Sequence, residues 1–290
     1  MRVAIIGEAM IDLTAYDAQH RANPERADVP TLRAGPVAVN LGGAGNVAAI
    51  LAARGHDVTL LSPVAGWAEC LVESCCNAQG VALRKLLAMP TTWQTPVKCR
   101  VFAESAYRMR IDAESCPPVV HEHPLQEAAQ LLPDDLDVLI FSDYGKGLHD
   151  DHEAAFAIDE ACAKSARYVA DFKPQHCNLF HHMDAVTPNQ REAEACGWKT
   201  SDEVRRDLDC YMAFVTLGDL GCAWADENGA GRCPIEGTPG AWHVGAGDAF
   251  TAGVAECLTT NQHAARVVAA YANQVACAFT QAPRVASMFL

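Results

Sequence analysis

Gly245-Ala246-Gly247-Asp248, followed by Ala249, Phe250, Ala252, Gly253 and Val254, is the strongest local chemical signal in this sequence. A turn of small residues opening a helix exposes backbone N–H groups at the positive end of the helix dipole. That is a ready anion hole, which small side chains let a phosphate approach. An aspartate in such a first turn is also simply a good helix-starting residue. A second glycine turn, Leu41-Gly42-Gly43-Ala44-Gly45-Asn46-Val47-Ala48, likewise enters a helix. Gly43 to Ala48 satisfies the G-x-G-x-x-A form of the dinucleotide fingerprint, which would make the protein an NAD-linked dehydrogenase. The context fits poorly, because Gly35 to Asn40 is a weak strand pattern and the next strand ends in Leu61-Ser62 with no ribose-binding acid. A third segment, Thr187-Pro188-Asn189-Gln190-Arg191-Glu192, sets Asn189 and Glu192 three apart. On a helix they share one face and could hold a hydrated Mg²⁺ through its waters, or form a capping pair.

The elements that must position these turns are written as apolar runs. Arg2 to Gly7 reads as a strand buried on both faces, and similar runs recur at Val58–Leu61, Val138–Phe141, Tyr168–Ala170, Ala185–Val186 and Ala213–Leu217. Between them Gly45–Arg54, Glu153–Ala166 and Ala246–Leu258 carry helical spacing. Alternating strand and helix predicts a three-layer α/β fold with a mostly parallel central sheet. Leu13–Val39 and Pro96–Asp112 break the alternation and mix Val, Thr, Tyr and Phe with polar residues, as exposed antiparallel strands do. They are expected to form a small β lid, on a single domain spanning 1–290.

Composition excludes several function classes. The 290 residues hold 22 basic and 36 acidic side chains, a formal charge of −14, which argues against sequence-independent binding to nucleic acid or an anionic membrane. Thirteen cysteines without any Cys-x-x-Cys pair make a poor disulfide framework and a poor zinc site. His121 with His123, His181 with His182, and Cys75-Cys76 also lack a second pair at usable spacing. The Met1 to Ile6 opening is too early interrupted for a signal peptide, and no stretch approaches the roughly 18 to 20 apolar residues of a membrane span. The expectation is a cytoplasmic protein.

The turns occur in an order that resembles the ribokinase-like carbohydrate kinase family, PfkB, over nearly the whole chain. Gly42-Gly43 with Asn46 is similar to its N-terminal signature, Asn189 and Glu192 to its Asn-x-x-Glu motif, and Gly245-Ala246-Gly247-Asp248 to its C-terminal signature. Within the family the chain most resembles the heptose 7-phosphate kinases of lipopolysaccharide precursor synthesis. That likeness rests on Pro24-Glu25, Val29-Pro30, Arg110-Ile111-Asp112, Ser142-Asp143-Tyr144-Gly145-Lys146-Gly147, and Asp171 with Lys173.

The resemblance implies ATP as co-substrate, Mg²⁺ at Asn189 and Glu192, and Asp248 as the base, with Gly245, Ala246 and Gly247 lining the anion hole. It assigns Asp12, Gly42, Gly43, Asn46, Arg110, Asp143 and Lys173 to the sugar or sugar phosphate. Asn189, Thr216, Gly218, Gly221 and Asn273 go to the nucleotide, and the β lid is expected to support a homodimer. A phosphorylated substrate in so acidic a chain needs local cations, for which Lys98, Arg100, Arg108, Arg110, Lys146 and Lys173 are candidates. Two departures stand out. Trp242-His243-Val244 replaces the usual Asp-x-Thr before Gly245, which removes the aspartate of a monovalent-cation site, and the stretch from Lys199 to Ala213 is short. A catalytically weak, nucleotide-binding relative with a regulatory role is the second reading.

Overall fold

Period-two alternation sorts the apolar runs onto two faces. Val3 and Ile5 of the strand Arg2–Gly7 enter one buried cluster, while Ala4 and Ile6 enter another. Val138 and Ile140 join the first cluster, and Leu139 and Phe141 join the second. A strand buried on both sides must be covered by helices on both sides. The computed structural model, which describes residues 1–16, 18–103, 106–114, 123–150, 153–238, 240, 243–260, 264–281 and the backbone of 288–289, has that arrangement. Helices Ala44–Ala53, Glu69–Gln79, Ala246–Leu258 and Ala265–Gln281 fill the first cluster. Helices Pro124–Leu131, Ala154–Cys162, Gln190–Ala195 and Ser201–Asp207 fill the second.

Among the described residues the central sheet has nine strands. Arg2–Gly7 lies between Asp57–Pro63 and Val138–Ser142, parallel to both. Tyr168–Asp171, Ala185–Val186 and Met212–Thr216 continue in parallel, and Ala82–Leu86 closes the far edge in parallel. Only Cys222–Asp226 reverses direction, pairing antiparallel with Met212–Thr216 on one side and with the edge strand Gly229–Cys233 on the other. The carboxyl ends of the parallel strands therefore face one side, where a site in such a sheet belongs.

The lid is more deeply built in than its polar composition implied. Five strands form it among the described residues, in the order Met288–Phe289, Val37–Gly43, Ala9–Ala15, Val97–Ala103 and Ala106–Ala113. The first lid strand starts at Ala9 rather than Leu13 and is mostly buried, because only Glu8 separates it from the central strand Arg2–Gly7. It pairs antiparallel with Val37–Gly43 but parallel with Val97–Ala103, so the sheet is mixed. Gln19–Arg21 and Thr31–Arg33 pair separately as a small ribbon.

Two helical expectations are trimmed. The pattern Glu153–Ala166 folds as Ala154–Cys162, and the short stretch after Lys199 still holds a helix, Ser201–Asp207, capped by Thr200. No described helix is long and apolar enough to cross a membrane.

Candidate active site

Gly245 enters the helix Ala246–Leu258 with φ 87°, a left-handed conformation in which a side chain would be strained, and the chain then turns directly into the helix. Asp248 lies in the first turn and is buried. One carboxylate oxygen accepts from Asn46 Nδ2 at 2.5 Å, and the other accepts from the hydroxyl of Tyr144. Asn46 comes from the other glycine turn, so the two turns, 202 positions apart in sequence, meet at this carboxylate. The amide of Ala246 bonds back to His243 O at 3.2 Å. Of the residues expected to line an anion hole, Gly245, Ala246 and Gly247, Ala246 therefore has its amide already engaged.

The second turn is not a dinucleotide turn. Gly42 and Gly43 end a lid strand, not a central one, and glycine is needed at 43 both because the chain turns there at φ 58° and because a Cβ would meet Glu8 O at 2.4 Å. The lid strand also aims Asp12 at the site, buried and paired with Arg100 Nη1 at 2.7 Å. Register places Asp12 beside Lys98 and Lys98 beside Asp112, and in the next row Thr14 beside Arg100 and Arg100 beside Arg110. Residues two apart on a strand share a face, so Lys98, Arg100 and Arg110 lie on the face that carries Asp12. Arg110 is at its outer edge, half-exposed and paired with Asp112 at 2.8 Å. Burial lowers the Lys98 pKa below the ordinary lysine value, and Glu114 opposes that shift.

The Ser142 to Leu148 loop carries residues that spacing alone did not single out. Asp143 is 1% exposed and does not reach toward a substrate. Its oxygens accept from Gly145 N at 2.7 Å and Lys173 N at 2.8 Å and face the rings of His149 and His176. Burial works to raise its pKa, but the two imidazoles outweigh burial and hold the carboxyl below its usual range. Asp143 therefore positions the loop rather than touching sugar, a correction to its expected role. Glu8, fully buried, accepts from the amides of Tyr144, Lys146 and Leu148 at 2.9, 3.0 and 3.2 Å. Burial pushes the Glu8 carboxyl above its ordinary value, against the pull of His149.

Lys173 stands at the junction of these groups. Its ammonium is 2.5 Å from Glu192 Oε1 and 5.2 Å from the centroid of the Tyr144 ring. Burial would lower its pKa, but Asp171 and Glu192 more than offset that and keep it charged. Asp171 is pushed well above the usual carboxylate range, first by burial and then by Glu192 and Asp248 against the pull of Lys173. Asn189 and Glu192 form a reciprocal capping box, with Asn189 Oδ1 accepting at 3.0 Å and Glu192 Oε2 at 2.8 Å. The capping reading of that pair is thus realised. Their oxygens are hard donors, the set that Mg²⁺ takes through its waters.

A cleft of about 310 Å³ opens beside this centre. Asn189, Thr216, Gly218, Gly221 and Asn273 line it, together with Ala246 and Gly247 of the turn that opens the helix Ala246–Leu258. Asn273 Nδ2 donates to Cys233 O at 2.9 Å, which fixes its amide at the wall. The turn after Gly245, the pair Gly218 and Gly221, and the capping residue Asn189 therefore share one cleft.

Arg100, a candidate cation for a substrate phosphate, is instead paired with Asp12. Spacing does not single out Tyr144, Glu8, His149 or His176: Tyr144 lies within the recognised Ser142 to Gly147 segment, and no local signal distinguishes Glu8, His149 or His176. Trp242, on which the expected loss of a cation site rests, lies outside the described residues. His243 lines the cleft.

An α/β sheet with a glycine turn opening a helix, a buried carboxylate at that turn and an additional β lid are the features of a sugar kinase of the ribokinase-like fold. The chain belongs to the pfkB family of carbohydrate kinases, whose model matches residues 1–289. It is 33% identical over 230 residues to a D-beta-D-heptose 7-phosphate kinase of Bordetella bronchiseptica, covering 76% of this chain and 72% of that one. It is 30% identical over 228 residues to the bifunctional protein HldE of Pseudomonas entomophila, covering 76% of this chain but 47% of HldE. Phosphofructokinase-2 of Escherichia coli in complex with potassium superposes with TM-score 0.78 at 18% identity, covering 97% of this chain and 93% of that one. Ribokinase of Thermotoga maritima superposes with TM-score 0.66 at 17% identity, covering 98% and 94%.

Proposed function

We propose that this carbohydrate kinase transfers the γ-phosphate of ATP to a hydroxyl of a phosphorylated sugar, of the heptose 7-phosphate type. The observation that carries the reading is the lid face on which Lys98, Arg100 and Arg110 gather around Asp12. A chain of charge −14 has no general attraction for a dianion, so a local group of cations is needed to draw one in, and these three, although Arg100 and Arg110 also pair with Asp12 and Asp112, form such a group. A substrate phosphate is such a dianion. Similarity to the Bordetella heptose 7-phosphate kinase names the candidate sugar.

In this reading Asp248 accepts the proton of the acceptor hydroxyl as its oxygen attacks the γ-phosphorus. The bond to the bridging β-γ oxygen breaks, and ADP leaves. Phosphoryl transfer needs chiefly in-line placement and charge stabilisation, which the first-turn amides supply. Asn189 and Glu192 would hold Mg²⁺, which would supply neutralisation of the nucleotide phosphates. Lys173 keeps Glu192 oriented at the cleft edge. Asp12 and Asn46 give directional contacts to sugar hydroxyls. Domain and partner readings stand beside this one. Residues 1–290 act as a single domain in the cytoplasm, and two copies pair through the lid edge strand Ala106–Ala113, where Tyr107, Met109 and Ile111 present an exposed apolar stripe.

ADP release measured across matched pairs of sugars with and without a terminal phosphate tests the reading. The expected result is a strong preference for the phosphorylated member, reduced in Arg110→Ala by the loss of a charge-assisted contact worth roughly 1.5 to 3 kcal/mol. Equal use of both members, or an equal loss for both in Arg110→Ala, overturns it.

A further inference from the structure

Beneath the reaction centre a second constellation remains that sugar phosphorylation does not use. Asp143, His149 and His176 are buried, and each offers a ligating atom within 4.8 Å of the others. Asp143 comes from the end of the strand Val138–Ser142 and His149 from the loop after it. His176 lies in the turn Pro174–Leu179, after the neighbouring parallel strand Tyr168–Asp171. His149 is 1% exposed, and neither of its ring nitrogens has a hydrogen-bond partner. A buried polar ring with both nitrogens unsatisfied is costly, and native interiors rarely leave one without a reason.

We propose that Asp143, His149 and His176 bind a zinc-type divalent ion, at a site separate from the Mg²⁺ that serves the nucleotide. Two imidazoles and one carboxylate select zinc over magnesium, which prefers oxygen alone. Bonds of about 2.0 to 2.2 Å in tetrahedral array set ligand atoms roughly 3.3 Å apart. Asp143 reaches each imidazole through a different oxygen, Oδ2 at 2.8 Å from His176 Nδ1 and Oδ1 at 3.4 Å from His149 Nδ1, and the ligand atoms of all three residues lie within 4.8 Å of one another, so a small shift of side chains would close them on one ion.

The surroundings match as well. With Nδ1 of His176 turned to the ion, Nε2–H donates to Asp150 Oδ1 at 2.7 Å, the outer carboxylate that zinc-bound histidines commonly carry. The amides of Gly145 and Lys173 occupy other lone pairs of Asp143 and hold it in place. Three protein ligands leave the fourth position to water. The ion would clamp together two loops, one bearing Tyr144 and the other Lys173.

The full chain, stripped with a chelator, loaded with Zn²⁺ alone and separated from free metal, gives the test. Because thirteen cysteines can also take zinc, ligand type is the deciding readout. X-ray absorption at the zinc edge should show a stoichiometric ion in a nitrogen and oxygen shell with imidazole scattering. That shell should disappear in His149→Gln and in His176→Gln, and Asp150→Asn should bind zinc roughly 10- to 100-fold more weakly. A sulfur shell, no retained zinc, an unchanged shell in the histidine variants or unchanged affinity in Asp150→Asn overturns the assignment. If a glutamine variant fails to fold, the wild-type spectrum still decides between imidazole and thiolate ligation.

Discussion

Tyr144 and Asp248, 104 positions apart in sequence, are hydrogen-bonded phenol to carboxylate. Burial first, and then the negative charge of Asp248, push the Tyr144 phenol well above its ordinary value, so the tyrosine remains the donor at neutral pH. Asn46 donates to the other oxygen at 2.5 Å. The carboxylate is thereby held from two sides, by one residue of the lid-to-helix turn and one of the Ser142 to Leu148 loop.

Replacing that carboxylate by its amide, Asp248→Asn, keeps the shape and removes the proton acceptor. Turnover should fall by roughly 10²- to 10⁴-fold with little change in sugar or nucleotide affinity. Steady-state kinetics with a verified substrate check this, and near wild-type turnover would refute a base at Asp248.

Tyr144→Phe removes one of the two holds and leaves the base. A hydrogen bond to a charged group is worth roughly 1.5 to 3 kcal/mol, so kcat should drop by about tenfold or more while the fold survives. Thermal melting beside kcat and KM separates the cases. A lower melting temperature with unchanged kcat would make Tyr144 a packing residue only.

Potassium should not accelerate the reaction. Val244 has no side-chain oxygen and Trp242 has only an indole N–H, so the segment before Gly245 lacks the anionic ligand a monovalent cation would need. Rates in sodium, potassium and a bulky organic cation at one ionic strength decide the point. A several-fold activation specific to potassium would restore a cation site.

Glu256 ties three helical segments together. It accepts from Arg54 Nε at 2.7 Å and Tyr271 Oη at 2.8 Å, and lies 3.0 Å from His56 Nε2. Burial works to raise its pKa, but Arg54, Tyr271 and His56 outweigh it, so the folded value lies below the unfolded one. Stability from this group is therefore full above the unfolded pKa near 4.3 and is lost as pH falls through the folded value. At pH 7, Glu256→Gln should cost about 1 kcal/mol after solvent screening, or roughly 2 to 4 °C of melting temperature. The gap between the two melting curves should start to narrow as pH falls below the unfolded pKa near 4.3 and close below the folded one, and a gap that stays constant throughout acid titration would contradict the linkage.

What could be read in advance follows the range of each signal. The helix Ala246–Leu258 is legible to the residue, because glycine before it and small apolar spacing within it are local facts. The central strands are legible because burial on both faces leaves only apolar residues. The lid strand Ala9–Ala15 was missed at its start, since Glu8 and Asp12 look like surface residues until the partners that bury them are known. Tyr144, Arg100 and the Asp143 cluster owe their places to contacts between distant segments, such as the 88 positions separating Asp12 from Arg100. Spacing along the chain holds no record of those. Asp143 was expected on the sugar because its motif was recognised without its two buried imidazoles.

Glu8 is the single residue between the central strand and the lid, and its carboxylate grips the peptide that carries Tyr144. One buried carboxylate thus couples the start of the lid to the loop whose phenol meets Asp248. A displacement of the lid on sugar binding would reach Tyr144 through these three amides. Hydrogen exchange reads that coupling, since the amides of Tyr144, Lys146 and Leu148 should then become protected together with the lid strands.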